Sequence, residues 1–220
     1  MNAESRIACN PEAGHWPWRI GPEDLALALP RLAEEDALSL PLLREEDAAH
    51  LIDEAPRLEW RQAKPVVGEG ERSVQQDFQL TMSFPDDSLY RVFAKGLERL
   101  LHEALDLMAD PPMPPVPLND MILQDYPVGS VGITPHRDHI SYRYLVAIVV
   151  LRGAGRFFVC EDRSGRDARE IPAEAGSLVL MRAPGFAGIE TRPFHLLREV
   201  SADRLAFGLR YDSRADGGAD

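Results

Sequence analysis

The chain has 220 residues, of which 45% are hydrophobic and 27% are charged, so it can bury the core of one globular domain. Its net charge of −12 at pH 7 disfavours nucleic acid as a partner, because nucleic-acid-binding proteins usually present a basic surface. The sequence lacks both a signal-peptide pattern and a run of about 18 apolar residues, so we expect a cytoplasmic protein with no membrane segment.

The first half of the chain predicts helices and a few strands. Residues 1–36 are expected to form an N-terminal arm and a short helix, and to pack on the core through Trp16 and Trp18. Helical and alternating apolar patterns then predict helices at 44–55 and 89–108 and strands at 58–67 and 78–82.

The second half predicts a β core. Short apolar or alternating runs recur between Gly and Pro turns, at 121–128, 131–134, 144–151, 156–160, 169–171, 177–181, 195–200 and 205–211. Eight short strands with turns between them are typical of a sandwich or barrel. The expected fold is therefore mainly β with flanking helices (α+β). We expect the domain to span residues 37–212 and the acidic residues 213–220 to form a disordered tail.

A His-x-Asp pair, His136 and Asp138, follows one of these strands. Residues two apart in a strand point to the same face, so both side chains can reach one point. His195, on a later strand, can supply a third ligand. Two histidines and one carboxylate leave open positions on a metal and are typical of non-haem Fe(II) oxygenases, whereas structural zinc is closed by four ligands.

Two arginines, Arg204 and Arg210, follow His195 in an alternating strand. From such a strand a basic side chain can project into the barrel. A buried arginine needs an anionic partner, and a dicarboxylate cosubstrate would supply one.

This order of features resembles the Fe(II)- and 2-oxoglutarate-dependent dioxygenase superfamily over residues 37–212. Within it the chain looks most like AlkB-type members, because of the strand that carries Gln124 and Tyr126 and because Arg204 and Arg210 lie six residues apart. Two features differ from AlkB itself. Gln124 stands where AlkB has Asn, and the spacing between His195 and the arginines is similar to that of prolyl-hydroxylase-like members.

The resemblance implies a double-stranded β-helix, which is a cupin-like jelly roll, and it implies roles for individual residues. His136, Asp138 and His195 would hold Fe(II). Arg204 would pair with the C5 carboxylate of 2-oxoglutarate. Further contacts with this cosubstrate are implied for Arg210, at its C1 end, and for Tyr126 and Gln124.

Three functions remain open. The first is hydroxylation of a small molecule or a protein side chain with release of succinate and CO2. The second is AlkB-type oxidative dealkylation of nucleic acid, which a basic groove beside the metal would favour. The third is a non-catalytic metal-binding jelly-roll sensor. The sequence does not indicate an oligomeric state.

Candidates for substrate contact lie beside the metal motif or on the path toward His195. They are His139, Arg137 and Arg182, with Arg143 and Arg192 as further arginines near the barrel mouth. If one of these arginines faces the metal, the substrate is expected to be anionic.

Overall fold

The computed structural model describes residues 16–216. Four helices and eleven strands make up this part of the chain. In order they are α1 (Pro22–Ala28), α2 (Leu32–Glu35), β1 (Ala37–Pro41), α3 (Glu45–Glu54), β2 (Arg61–Gln62), β3 (Val66–Val67), β4 (Val74–Gln75), β5 (Gln79–Thr81), α4 (Leu89–Asp106), β6 (Asp120–Tyr126), β7 (Ile133–His136), β8 (Tyr142–Cys160), β9 (Arg169–Ile171), β10 (Ser177–Arg182) and β11 (Phe194–Asp212). No helix among these residues is long and apolar enough to cross a membrane.

Two long strands, β8 and β11, organise the sheets. They pair with each other antiparallel along most of their length, with register shifts between Arg198 and Ala206 where both strands bend. On one side of the bend they continue a wide sheet of order β1-β10-β8-β11-β6-β5-β2. On the other side β9 pairs with β8 and β7 pairs with β11, which forms a smaller sheet. This arrangement is the expected double-stranded β-helix.

The eight runs predicted in the second half of the chain form six strands, so two of the predicted boundaries are wrong. The runs at 144–151 and 156–160 are both part of β8, and those at 195–200 and 205–211 are both part of β11. Gly153 suggested a turn, but in the structure its positive φ of 81° belongs to a bend within a continuing ladder.

The predicted strand at 58–67 is also wrong as a single element. Its middle forms β2 at the edge of the wide sheet, and its last part forms β3, which pairs only with β4 in a two-stranded hairpin. The hairpin lies beside β7, because the backbone N–H of Gln75 donates to the Thr134 hydroxyl at 2.9 Å. Val66 and Val67 on it are exposed.

Alternating residues of the wide sheet serve two separate cores. In β8, Leu145, Ala147 and Val149 pack toward the helices, whereas Val146 and Val150 face the interior of the β-helix. Helix α4 covers the outer side of the sheet with an apolar face, as the sequence predicted. The interior face is therefore available for a site.

The N-terminal segment packs on the helix side of the sheet. Leu25 and Leu29 are fully buried, and the Trp16 ring contacts Phe93 of α4 edge to face at 4.8 Å between centroids. At the other end of the chain Ser213–Asp216 form a 3-10 turn, and the Ser213 hydroxyl donates to the Ser141 carbonyl at 3.0 Å. Residues 1–15 of the predicted arm and 217–220 of the predicted tail lie outside the described residues.

Candidate metal site

The three predicted metal ligands come together at one end of the smaller sheet. His136 is the last residue of β7 and stands directly opposite His195 of β11 in the ladder. Asp138 follows two residues later. One ligand atom from each side chain lies within 4.8 Å of the other two, and His195 Nε2 is 3.9 Å from Asp138 Oδ1.

Local backbone geometry sets the direction of His136. Gly132, just before β7, has a φ of 75°, and a side chain there would overlap the Leu197 carbonyl of β11. This close approach brings β7 against β11. The Nδ1 of His136 donates to the Thr134 carbonyl at 3.0 Å, since a carbonyl can only accept, so Nε2 remains available for a metal.

The second histidine is held by burial. His195 is 5% exposed. Its Nδ1 is buried and has no partner in hydrogen-bond geometry. The Pro193 backbone carbonyl acts to raise the pKa of this ring.

The protonation states suit a metal. Burial and then the neighbouring His195 lower the pKa of His136 to about 3, and burial likewise lowers the pKa of His195. Burial acts to raise the pKa of Asp138, but His195, Arg210 and His136 together hold it below its usual value. At neutral pH the site therefore offers two neutral imidazoles and one carboxylate, the forms that bind a metal.

The three ligands face a cavity inside the β-helix. Its volume is about 70 Å³, several times what one water molecule requires. Along β11 alternate residues line it, and the small Ala206 and Gly208 leave room between Arg204 and Arg210. The neighbouring strand β6 continues this wall with Ile122, Gln124 and Tyr126.

Arg204 lies in this cavity and is 1% exposed. One of its terminal nitrogens donates to the Ala173 carbonyl at 2.8 Å, and its Nε is buried without a hydrogen-bond partner. No carboxylate of the described residues pairs with it. Burial lowers its pKa to about 10, so the guanidinium is still charged at neutral pH. A buried unpaired charge is costly and indicates that an anion completes the site.

Arg210 is differently placed, although it lines the same cavity. It forms an ion pair with Asp120, to which its Nε donates at 2.7 Å, and its guanidinium carbon lies 4.3 Å from the centre of the Tyr142 ring. Its charge also acts on Asp138. The sequence did not reveal the Asp120 pair, which depends on the register of β11 against β6.

Tyr126 and Gln124, for which the resemblance implies contacts with the cosubstrate, also line the cavity. Tyr126 is buried against Phe78, with ring centroids 4.8 Å apart. Burial raises the pKa of its hydroxyl, which therefore remains a neutral hydrogen-bond donor near Arg204.

Two of the three predicted substrate residues, His139 and Arg182, line one small cavity beside Asp138, whereas Arg137 does not. His139 is exposed, and its ring pairs with the Ser141 hydroxyl at 2.8 Å. Arg182 donates to Thr191 and forms an ion pair with Asp36. Arg137 is exposed and lies over the Phe194 ring, with its guanidinium carbon 4.0 Å from the ring centre.

Two further arginines lie close to the metal ligands. Arg192 donates to the Asp138 carbonyl at 2.6 Å and so holds the backbone of a ligand. Arg163 also lies over Phe194, at 5.6 Å, and its charge contributes to lowering the pKa of His136. Burial first, and then the charges of Arg192 and Arg163, lower the pKa of Arg137. Sequence analysis missed Arg163, because a turn arginine carries no periodic signal.

Comparison with known proteins supports the fold. No protein-family model and no curated protein matches the chain. A 2OG-Fe(II) oxygenase family structure from Burkholderia pseudomallei is 13% identical with a TM-score of 0.58, over 89% of this chain and 92% of that one. A Trichoplax adhaerens prolyl hydroxylase in complex with a hypoxia inducible factor oxygen degradation domain peptide fragment is 10% identical with a TM-score of 0.63, over 90% and 94%. The structure of OsALKBH1 is 14% identical with a TM-score of 0.57, over 80% and 98%.

These likenesses confirm that the chain has the fold predicted from its resemblance to this superfamily. They include both a prolyl hydroxylase and an AlkB homologue, the two groups whose features the sequence combines.

Proposed function

We propose that the protein is an Fe(II)- and 2-oxoglutarate-dependent dioxygenase that hydroxylates a small molecule or a protein side chain. One observation carries this proposal. A buried arginine without a carboxylate partner, Arg204, shares a cavity with a His-Asp-His group whose ligand atoms converge. A metal site alone does not explain a buried positive charge, and an anion alone does not explain the three ligands.

The donor set fits Fe(II). His136 and His195 offer neutral nitrogen and Asp138 offers a carboxylate, and within residues 16–216 no fourth ligand joins them. A metal held by these three residues keeps open positions for a cosubstrate and oxygen, which distinguishes the site from a closed structural one. Held by His136, Asp138 and His195, Fe(II) together with 2-oxoglutarate would supply the reduction of O2, with one oxygen atom entering the substrate and the other entering succinate as CO2 is released.

The residues around the metal bind and orient the cosubstrate. Arg204 pairs with its distal carboxylate and so gains the anionic partner that it lacks within the described chain. Tyr126 and Gln124 face the same space and can donate hydrogen bonds to it. After His195, Arg210 contributes to lowering the pKa of Asp138, and Arg210 is also a candidate contact for the C1 end of the cosubstrate.

Two of the similar structures bear on the substrate class. The Trichoplax adhaerens structure holds a peptide fragment, which favours a protein side chain as one option. The likeness to OsALKBH1 supports the second candidate, oxidative dealkylation of nucleic acid. The net charge of −12 disfavours this second candidate. The β3–β4 hairpin beside the site also disfavours it, because it exposes the apolar Val66 and Val67. The third candidate, a non-catalytic metal-binding sensor, does not account for the cosubstrate pocket around Arg204.

A screen for coupled succinate formation tests the proposal. Purified protein with Fe(II), 2-oxoglutarate and oxygen is offered small molecules, peptides and methylated oligonucleotides. A substrate that raises succinate release above the uncoupled level identifies the class. If no succinate forms under any condition, with the metal bound, the sensor function is favoured instead.

A further inference from the structure

A series of polar contacts leads from the end of α2 to the metal ligand Asp138. Asp36 forms an ion pair with Arg182 of β10, and its carbonyl accepts the backbone N–H of the same residue at 2.9 Å. A terminal nitrogen of Arg182 donates to the carbonyl and the hydroxyl of Thr191, at 2.6 and 3.1 Å. The next residue, Arg192, donates to the Asp138 carbonyl at 2.6 Å. We call Asp36, Arg182, Thr191 and Arg192 the Asp138 brace.

Asp138 requires such a support more than the two histidines do. Strand β7 ends at His136, which the ladder holds opposite His195, whereas Asp138 lies beyond the ladder in the segment between β7 and β8. The bond from Arg192 reaches Asp138 from the segment that leads into β11, three residues before His195. It therefore connects two metal ligands across the site, where Asp138 Oδ1 and His195 Nε2 lie 3.9 Å apart.

The charges and the space around the brace favour a positioning role over the binding of an anionic substrate. Arg182 and Arg192 line one small cavity beside Asp138. Asp36 pairs with Arg182, whose side chain is 11% exposed, and the charge of Arg192 acts on the Asp138 carboxylate. Two arginines therefore stand with two carboxylates, and no further anion is required. The cavity has a volume of about 10 Å³, which is enough for about one water molecule and too little for a substrate carboxylate.

The backbone at Asp36 shows that the first part of the brace is firmly fixed. Its φ is 61°, in the left-handed region that residues other than glycine rarely adopt. Arg169 of β9 donates to the carbonyls of Glu35 and Ala37, on both sides of this residue. Such a conformation persists only where the surrounding structure enforces it, and such conformations concentrate at functional sites.

We propose that Arg192 is a positioning residue for the metal ligand Asp138, and that Arg182 and Asp36 position Arg192 in turn. This inference rests on the proposed function, because it requires Asp138 to bind the metal. With its carbonyl held, Asp138 keeps its carboxylate directed at the point where the ligand atoms converge before any metal binds. The loss of an outer hydrogen-bond partner of a metal ligand typically lowers metal affinity by about 10–100-fold.

Calorimetric titration of Zn(II) into the metal-free full chain, without 2-oxoglutarate, tests the inference. Arg192→Met should raise the Kd of Zn(II) about tenfold or more, whereas Arg192→Lys keeps a charged donor and should recover most of the affinity. In an Asp138→Ala background, Arg192→Met should change Kd less than about twofold, because Arg192 acts through Asp138. Arg166→Gln is the control and should match the wild type, since Arg166 pairs with Glu161 and Asp162 in the turn between β8 and β9.

Two further variants test the outer part of the brace. Arg182→Met and Asp36→Asn should both raise the Kd of Zn(II), by a smaller factor than Arg192→Met, because they act through the segment that carries Arg192. Asparagine tolerates a positive φ, so Asp36→Asn should leave the urea midpoint of the metal-free protein close to that of the wild type. The two readouts together separate a loss of metal affinity from a loss of fold.

A wild-type Kd of Zn(II) in Arg192→Met would overturn the inference, and so would an equal loss with and without Asp138. If Arg192→Met does not fold, Arg182→Met carries the test, and a wild-type Kd there overturns the inference. The proposed function fails separately. Its failure would appear as a wild-type protein that binds no metal, or that binds metal but no 2-oxoglutarate, and the comparison of brace variants uses no cosubstrate.

Discussion

Replacing Arg204 by Met should separate the role of this residue in binding from its effect on stability. In the cosubstrate-free protein its guanidinium is 1% exposed, with a buried Nε that lacks a partner and one hydrogen bond to Ala173. Removing an unpaired buried charge relieves a desolvation cost of several kcal/mol, whereas losing the Ala173 bond costs about 1 kcal/mol. Arg204→Met should therefore raise the free energy of unfolding by roughly 1–3 kcal/mol.

Binding of 2-oxoglutarate should change in the opposite direction. Truncating one partner of a buried charged pair costs about 2–5 kcal/mol, so Kd should rise at least about 30-fold. Calorimetric titration of 2-oxoglutarate into Mn(II)-loaded protein measures Kd, and urea unfolding of the metal-free protein measures stability. Arg152→Met is the control, because Arg152 pairs with Asp125 outside the cavity. Unchanged 2-oxoglutarate affinity in Arg204→Met would refute the assigned role.

Three further predictions concern the cavity, its protonation and the N-terminal segment. Gly208→Val should lower 2-oxoglutarate affinity, because the new side chain would meet Ile122 Cγ2, which lies 2.9 Å from an added Cβ. Calorimetry should show that Mn(II) affinity is unchanged. Because the pKa values of His136 and His195 are lowered, both rings stay neutral in mild acid, and Mn(II) affinity at pH 5.5 should stay close to that at pH 7; a tenfold loss would contradict this. Trp16→Ala should lower the free energy of unfolding by about 3 kcal/mol in urea titrations. Trp16→Phe should lower it much less, because the indole N–H is buried without a partner. Equal losses in the two variants would be inconsistent with this packing.

Two of the three metal ligands could be predicted from short-range geometry. His136 and Asp138 are two residues apart in a strand-like segment, and this spacing alone brings them to one face. The alternation of β11 likewise predicted that Arg204 points into the barrel, and the structure places it there. The succession of short apolar runs predicted a sandwich or barrel, and the jelly roll was implied by the resemblance to the dioxygenase superfamily.

Features set by long-range register could not be predicted. The ion pair between Arg210 and Asp120 depends on the pairing of β11 with β6. The continuity of β8 through Gly153 depends on its ladder with β11, which outweighs the local preference of glycine for a turn. The position of Arg163 over the Phe194 ring depends on the turn that folds back beside β7, where a side chain on Gly165 would meet Pro135 at 3.8 Å.

Anaerobic visible absorption tests the central claim most directly, because chelation of Fe(II) by 2-oxoglutarate gives an absorption band that neither component gives alone. The wild-type protein should develop this band with one equivalent of Fe(II) and of 2-oxoglutarate. His136→Ala should not develop it, since a ligand is lost, while Arg166→Gln should match the wild type. A wild-type protein that binds Fe(II) but gives no band with 2-oxoglutarate, or an undiminished band in His136→Ala, would contradict the assignment of this site.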